Sequence, residues 1–143
     1  GIPVTHRECA SSFHVFTGNF KDEERGLDFA NLARLEGTLI FLMGFANLNY
    51  ITQGLLAAGK PAGTPAAVIS QATTQRQRTA VGTLADIEEH CAAAKLSSPA
   101  ITVIGTFLSS SRAAACWCCG TPARVIFLPK SYAKPVCFRL VAR

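Results

Sequence analysis

Four short stretches carry side chains or turns that can do chemistry. The guanidinium of Arg7 is a planar fork suited to carboxylates. Met43 and Gly44 end an apolar run that leads into a helical pattern, and ligands of open α/β sheets sit at such turns. Two further arginines lie in the polar segment Thr73–Arg78, and three thiols have the spacing C-x-C-C at Cys116, Cys118 and Cys119.

Each stretch also has a plainer structural interpretation. Arg7 and the segment Thr73–Arg78 can be solvated surface, and the turn at Met43–Gly44 can be an ordinary strand-to-helix connection. The three thiols lack the second separated pair that a zinc site requires, so we predict no metal site and favour reduced thiols in a linker. The chain has no Gly-rich phosphate loop, zincin motif or nucleophile elbow. The residues alone therefore predict a ligand-capable turn without a self-contained catalytic set.

Composition limits the class of protein. The chain has 143 residues, 49% of them hydrophobic and 16% charged, which fits one domain with an ample core. The net charge of +5 suits an anionic small molecule, but no dense basic stripe with aromatics predicts a nucleic-acid partner. The apolar runs fall far short of the roughly 20 residues that span a bilayer, so we expect no membrane partner. Six cysteines without a secretory signal predict reduced thiols and a cytoplasmic protein.

The elements that position these residues are organised around Thr38–Leu48. Its apolar first half, bounded by Gly37 and Gly44, predicts a strand buried on both faces. Its second half begins a helix near Asn47, with apolar residues at helical spacing. The sequence therefore predicts strand, glycine turn and helix in that order.

The same patterns extend along the chain. They predict strands over Ser12–Thr17, Thr38–Met43, Pro65–Gln71, Thr79–Thr83 and Ala100–Gly105, and helices over Phe29–Leu35, Asn47–Ala58 and Leu84–Ala94. We expect Asp28 and Thr83 to cap helix starts and Gly59 to end a helix in the left-handed conformation. The seven-residue connection Ala72–Arg78 suits a hairpin rather than a crossover. Together these elements predict an α/β fold, a mixed sheet of about five strands covered by helices.

Several segments also resemble one family, in order and at fitting spacing. These segments are Gly1–Arg7 (GIPVTHR), Val15–Asn19 (VFTGN), Gly37–Gly44 (GTLIFLMG), Leu55–Gly59 (LLAAG), Pro65–Arg78 (PAAVISQATTQRQR), Val81–Ile87 (VGTLADI) and Pro99–Gly105 (PAITVIG). Their resemblance is to the carboxy-terminal half of the uroporphyrinogen-III C-methyltransferases, within the tetrapyrrole methylases. It implies methyl transfer from S-adenosyl-L-methionine to uroporphyrinogen III, which gives precorrin-2 for sirohaem and cobalamin and S-adenosyl-L-homocysteine as product.

The resemblance also implies roles for single residues. Met43 and Gly44 would contact the cofactor, and Ala72 with Thr73 would contact it at the next turn. Ala72 stands where the family commonly has Gly, so its methyl group would crowd the cofactor if the backbone there needs a positive φ. Arg7 would bind the tetrapyrrole carboxylates and assist proton loss as a catalytic residue, and Met43 would also face the substrate.

Departures from the family pattern give further expectations. The amino-terminal half with its Gly-rich cofactor loop does not match, so we expect a fragment that is weak or inactive alone and that forms homodimers. We expect residues 1–106 to be the carboxy-terminal subdomain, 107–122 a linker, and 123–143 a truncated start of a further domain, which loosely resembles uroporphyrinogen-III synthase. Two alternatives stay open, a non-catalytic binding module and a methylase of a later corrin precursor.

Overall fold

The computed structural model describes residues 4–5, 10–19 and 26–109. The strands are β1 (Phe13–Thr17), β2 (Thr38–Leu42), β3 (Pro65–Ser70), β4 (Arg78–Thr83) and β5 (Ala100–Ile104). The α-helices are α1 (Phe29–Arg34), α2 (Leu48–Ala57) and α3 (Ile87–Ala93), and 3₁₀ helices cover Phe45–Asn47 and Thr106–Ser109. The strands and helices predicted from the sequence are therefore present, with small shifts at their ends.

Within these residues the strands form one mixed sheet in the order β1-β2-β5-β3-β4. β1 is parallel to β2, whereas β5 is antiparallel to both β2 and β3, and β3 and β4 form the predicted hairpin. β1, β2 and β3 consequently run in the same direction. The residues that follow Thr17, Leu42 and Ser70 meet at one end of the sheet, which we call the carboxyl edge.

The three helices cover one face of this sheet. Leu39 and Phe41 of β2 face Ile51 and Leu55 of α2 in a core where all four are fully buried. Phe16 of β1 joins this face, with its ring 5.6 Å from that of Phe41. The prediction that β2 is buried on both faces is confirmed, because Ile40 on the opposite face is also buried.

The opposite face carries a smaller apolar cluster and no α-helix among the described residues. Ile40, Ala67 and Val103 from the three central strands pack there with Val4, Ala10 and Leu108. Phe13 and Val15, which the alternation of β1 places on this face, are 43% and 49% exposed. Leu108 lies in the second 3₁₀ helix, so the described fold continues beyond Gly105.

Helix ends follow the predicted chemistry at two places. The Asp28 carboxylate accepts from the backbone N–H of Asn31 at 3.1 Å and caps α1. α2 ends in a Schellman motif with Gly59 at φ +91°, in which the Lys60 N–H donates to Leu55 O at 3.0 Å. None of the described helices is long and apolar enough to span a bilayer.

The predicted start of α3 is wrong by one turn. Thr83–Asp86 forms a turn, with the Asp86 N–H 3.2 Å from Thr83 O, and α3 begins at Ile87. The Asp86 carboxylate accepts from the Thr83 N–H at 2.6 Å, so the carboxylate, not the threonine hydroxyl, satisfies the backbone there. This bond lowers the pKa of Asp86.

Candidate functional site

Met43 is the residue in which the chain turns at the end of β2. It adopts the left-handed conformation at φ +56°, whereas Gly44 has an ordinary φ of −93°. The predicted glycine turn is therefore wrong in its detail, since the strained residue is the methionine. The side chain of Met43 is 65% exposed at the carboxyl edge. A left-handed non-glycine residue costs roughly 1–2 kcal/mol, and such strain clusters at functional sites.

Hydrogen bonds on both sides of Met43 hold the turn. The Gly18 N–H donates to Leu42 O at 2.7 Å and extends the pairing of β1 with β2. The Asn47 amide donates to Gly18 O at 2.7 Å, and the Asn47 N–H donates to Gly44 O at 3.1 Å. Sequence reasoning did not assign Asn47 or Gly18 to the site, because the bond between the Asn47 amide and Gly18 O joins residues distant in sequence.

The loop between β3 and β4 holds the second pair of predicted cofactor residues. Gln71 and Thr73 are left-handed at φ +49° and +66°, and Ala72 between them is not. The Ala72 methyl was expected to crowd the cofactor only if the φ of Ala72 were positive. Because this φ is not positive, the condition for crowding is not met. The Gln77 side chain accepts from the Thr73 N–H at 2.8 Å and closes the loop. Two turns with strained residues therefore face the same edge of the sheet.

An apolar floor lies between these turns. Leu42 of β2 pairs with Ile101 of β5, which pairs with Ile69 of β3. Leu42, Ile101 and Ala72 are half-buried and pack in the same cluster on the face opposite the helices. The ends of β2 and β3 are thus two strand spacings apart, about 10 Å. Ile101 was not predicted as a site residue, because nothing local to β5 indicates that it lies between β2 and β3.

Backbone strain is concentrated at this end of the molecule. Among the described residues, the non-glycine residues with positive φ are Met43, Gln71, Thr73 and Lys95. Lys95 lies in the α3–β5 connection, which reaches the carboxyl edge where Pro99 O accepts from the Gln71 N–H at 2.8 Å. Strain of this kind persists where the surroundings over-determine it, as at ligand sites.

Comparison with known proteins shows the family of the chain. The family model of Tetrapyrrole (Corrin/Porphyrin) Methylases matches residues 1–88. The chain belongs to the tetrapyrrole methylases. It is 45% identical over 107 residues to an S-adenosyl-L-methionine-dependent uroporphyrinogen III methyltransferase of Methanosarcina barkeri, covering 73% of this chain and 42% of the relative. It is 43% identical over 111 residues to the uroporphyrinogen-III C-methyltransferase of Bacillus subtilis, covering 76% of this chain and 23% of the relative.

Solved tetrapyrrole methylases have the same fold. The uroporphyrin-III C-methyl transferase of Thermus thermophilus complexed with S-adenyl homocysteine superposes with a TM-score of 0.63 at 28% identity, over 75% of this chain and 47% of that one. A cobalt precorrin-4 methyltransferase matches equally well in fold, with a TM-score of 0.63. This chain spans between 22% and 42% of the length of the first curated relatives that it matches.

Two of the stretches considered in the sequence lie outside the described residues. One is Arg7, the predicted catalytic and substrate-binding residue, and the other holds the thiols Cys116, Cys118 and Cys119, for which no metal site was predicted. Within the described residues, no group of three His, Cys, Asp or Glu side chains is placed to hold a metal ion. The buried thiol of Cys91 in α3 faces the helix-side core, where burial and then the charge of Glu88 raise its pKa to about 11.

Proposed function

We propose that this chain forms part of an S-adenosyl-L-methionine-dependent methyltransferase that C-methylates uroporphyrinogen III to precorrin-2. The observation that carries the proposal is the pairing of the exposed Met43 with the Ala72–Thr73 turn across one apolar floor at the carboxyl edge. Methyl transfer needs a nucleophilic carbon held in line with the donor methyl, which is largely a positioning task. The hydrogen-bonded turns of this edge suit that task, and the part of the chain that the structure describes places no activated nucleophile there.

The residues at this edge fit the proposed cofactor. The floor of Leu42, Ile101 and Ala72 offers apolar contact, and the Met43 thioether is polarizable and adaptable. The Ala72 N–H has no hydrogen-bond partner within residues 26–109, so it is available to a polar group of a ligand. S-adenosyl-L-methionine, when bound, supplies the methyl group. The described residues hold and orient it. Gly44, which follows Met43, has no side chain to occupy the space of the cofactor.

In the proposal, Arg7 binds carboxylates of the tetrapyrrole and assists the proton loss that follows methyl transfer. A guanidinium pairs with carboxylates through two parallel hydrogen bonds. Val4 and Ala10, which flank Arg7 in sequence, both pack in the cluster that contains Leu42 and Ala72. These flanking residues support the proposal, since they pack on the face that carries the floor of the candidate cofactor site.

The proposal assigns the opposite wall of the cleft to an amino-terminal half like that of the relatives. Ligand sites bury most of a small molecule, and a single open edge supplies only part of that contact. We therefore expect this chain to bind S-adenosyl-L-homocysteine weakly alone and tightly when that half is joined to it. The homodimer, the cytoplasmic location and the boundary near residue 106 stay predictions.

A domain graft tests the proposed function. Residues 1–106 of this chain would replace the matching segment of the Methanosarcina barkeri relative, and the graft would be assayed with uroporphyrinogen III and labelled S-adenosyl-L-methionine. We expect formation of precorrin-2 and a Kd for S-adenosyl-L-homocysteine within about tenfold of that of the parent enzyme.

The Arg7→Ala graft separates catalysis from folding. It should keep S-adenosyl-L-homocysteine binding and lose most of the turnover. If the graft with the native Arg7 folds and binds S-adenosyl-L-homocysteine but shows no turnover, the result would support the non-catalytic binding module instead. If the native graft methylates only a later corrin precursor, that precursor would replace uroporphyrinogen III as the proposed substrate. A graft that binds no S-adenosyl-L-homocysteine would contradict the proposed cofactor site.

A further inference from the structure

A second cavity opens beside the candidate cofactor site. It has a volume of about 410 Å³ and lies between the β3–β4 loop and the α3–β5 connection, on the helix side of the carboxyl edge. Arg76, Arg78 and Lys95 line it together with the Gln71 carboxamide. The lining includes neither Arg7 nor any of the residues proposed to contact the methyl donor.

The charge of the cavity is unbalanced. Its lining holds three cations and no carboxylate. Within the described residues, none of Arg76, Arg78 and Lys95 forms an ion pair. Glu88 of α3 is engaged by the side chains of Asn49 and Thr52 on α2. Three like charges around one space repel each other, and a bound oxyanion offsets that repulsion with charge-assisted hydrogen bonds.

The walls of the cavity are held in place before any ligand binds. The Ser70 hydroxyl donates to Ser97 O, and the Gln71 N–H donates to Pro99 O at 2.8 Å, so both walls are tied together. The Thr74 hydroxyl donates to Gln71 O at 2.8 Å and accepts from the Arg76 N–H at 3.1 Å. A loop fixed in this way loses little conformational entropy on binding.

Two features of the lining point to a ligand. The Gln71 side-chain oxygen is buried and has no hydrogen-bond partner among the described residues. Lys95 occupies the left-handed position of the Schellman motif that ends α3, with the Leu96 N–H donating to Cys91 O at 3.0 Å. Glycine is the residue that suits this position, so the lysine keeps its cation there in spite of backbone strain.

We propose that this cavity is an oxyanion-binding site that takes a carboxylate or phosphate group. The group has two sources with the same chemistry, a peripheral carboxylate of a tetrapyrrole bound at the neighbouring turn or a free phosphate. Arg76 and Arg78 form the charge-assisted bonds with either group, and Lys95 adds a point charge. The Gln71 oxygen accepts from the O–H of a monoprotonated phosphate, a bond that a carboxylate does not supply. The site does not depend on methyl transfer.

Titration of the chain followed by backbone NMR tests the site, with inorganic phosphate and uroporphyrin III as separate probes. We expect shifts confined to residues 70–78 and 95–97, and a loss of affinity of about tenfold for Arg78→Gln, as one charge-assisted bond implies. Arg34→Gln removes the same charge from an exposed site on α1 and should leave the affinity unchanged. Lys95→Gly should weaken binding while raising the melting temperature, which separates lost binding from lost structure.

The two probes identify the source of the oxyanion. Shifts with phosphate support a site for free anions, and shifts with uroporphyrin III alone support a subsite for substrate carboxylates. The absence of localised shifts with both probes at millimolar concentration would overturn the proposal, as would equal losses for Arg78→Gln and Arg34→Gln. Binding of S-adenosyl-L-homocysteine by the Arg78→Gln variant should not change, so the failure of this proposal is distinct from the failure of the proposed function.

Discussion

Gly18 and Gly44 lie in backbone contact where β1 and β2 end. A Cβ built on Gly18 would be 2.3 Å from the Gly44 Cα, and one built on Gly44 would be 3.4 Å from the Gly18 Cα. The contact lets the Gly18 N–H reach Leu42 O and the Gly18 carbonyl reach the Asn47 amide. The close approach of these two glycines therefore fixes the turn that presents Met43.

Substitution of Gly18 tests this contact. Gly18→Ala places a methyl group against backbone that has little room to move, so we expect a loss of about 2 kcal/mol or more in the free energy of unfolding. Urea denaturation measures it. Gly63→Ala is the matched control, since a Cβ there meets nothing within 4 Å, and it should change stability by less than about 0.5 kcal/mol. Equal stability of the two variants would contradict the role given to the contact.

Met43→Gly should stabilise the fold and weaken the methyl-donor site. Glycine relieves the left-handed strain at φ +56°, which we expect to add about 1 kcal/mol to the free energy of unfolding. The lost thioether should lower the affinity for S-adenosyl-L-homocysteine in the domain graft. Calorimetry and thermal melts report the two effects separately. Met43→Leu keeps the backbone strain and the side-chain bulk, so its melting temperature should be close to that of the unsubstituted protein.

Asp86→Asn should remove a pH-dependent contribution to stability. The bond from the Thr83 N–H holds the pKa of Asp86 below its ordinary value of 3.8. A carboxylate whose pKa is lower in the folded state stabilises above its unfolded pKa, and this stabilisation is lost as the pH falls through the folded pKa.

We therefore expect Asp86→Asn to cost about 1 kcal/mol at pH 7, as for the loss of one net hydrogen bond, and the difference to shrink below pH 3.8. Denaturation curves at pH 7 and pH 3 measure it. Glu89→Gln in the first turn of α3 is the control, because its exposed side chain should contribute only a few tenths of a kcal/mol. A difference that persists at pH 3 would rule out the carboxylate as the cause.

Cys91 should be almost inert to alkylation in the folded chain. Its pKa of about 11, against an ordinary 9.0, leaves about a hundredfold less thiolate at pH 8, and burial blocks the reagent further. The raised pKa also predicts that stability falls as the pH rises from 9.0 to about 11, because the folded state holds the proton more tightly. Peptide mass spectrometry after iodoacetamide measures the labelling. Rapid native labelling of Cys91 would show that α3 opens readily.

The sequence by itself determined the local elements of this protein. Leu39–Leu42 is apolar at every position, so both faces of this strand must be buried wherever it lies in the sheet. Asp28 begins a helix because its carboxylate accepts from a free backbone N–H of the first turn. Gly59 ends a helix because a residue without a side chain adopts the conformation in which its N–H reaches Leu56 O. The resemblance to the tetrapyrrole methylases, carried by short ordered segments, was confirmed by the family match over residues 1–88.

Only the tertiary structure decided what surrounds those elements. β5 is the last of the described strands in sequence but lies between β2 and β3, and this insertion places Ile101 on the floor of the candidate site. The left-handed residue is Met43, and Gly44 stands where a side chain would meet Ile51 and the Gly18 backbone. Periodicity and capping report interactions between residues a few positions apart. Strand order and backbone contact depend on partners distant in sequence, so no local pattern contains them.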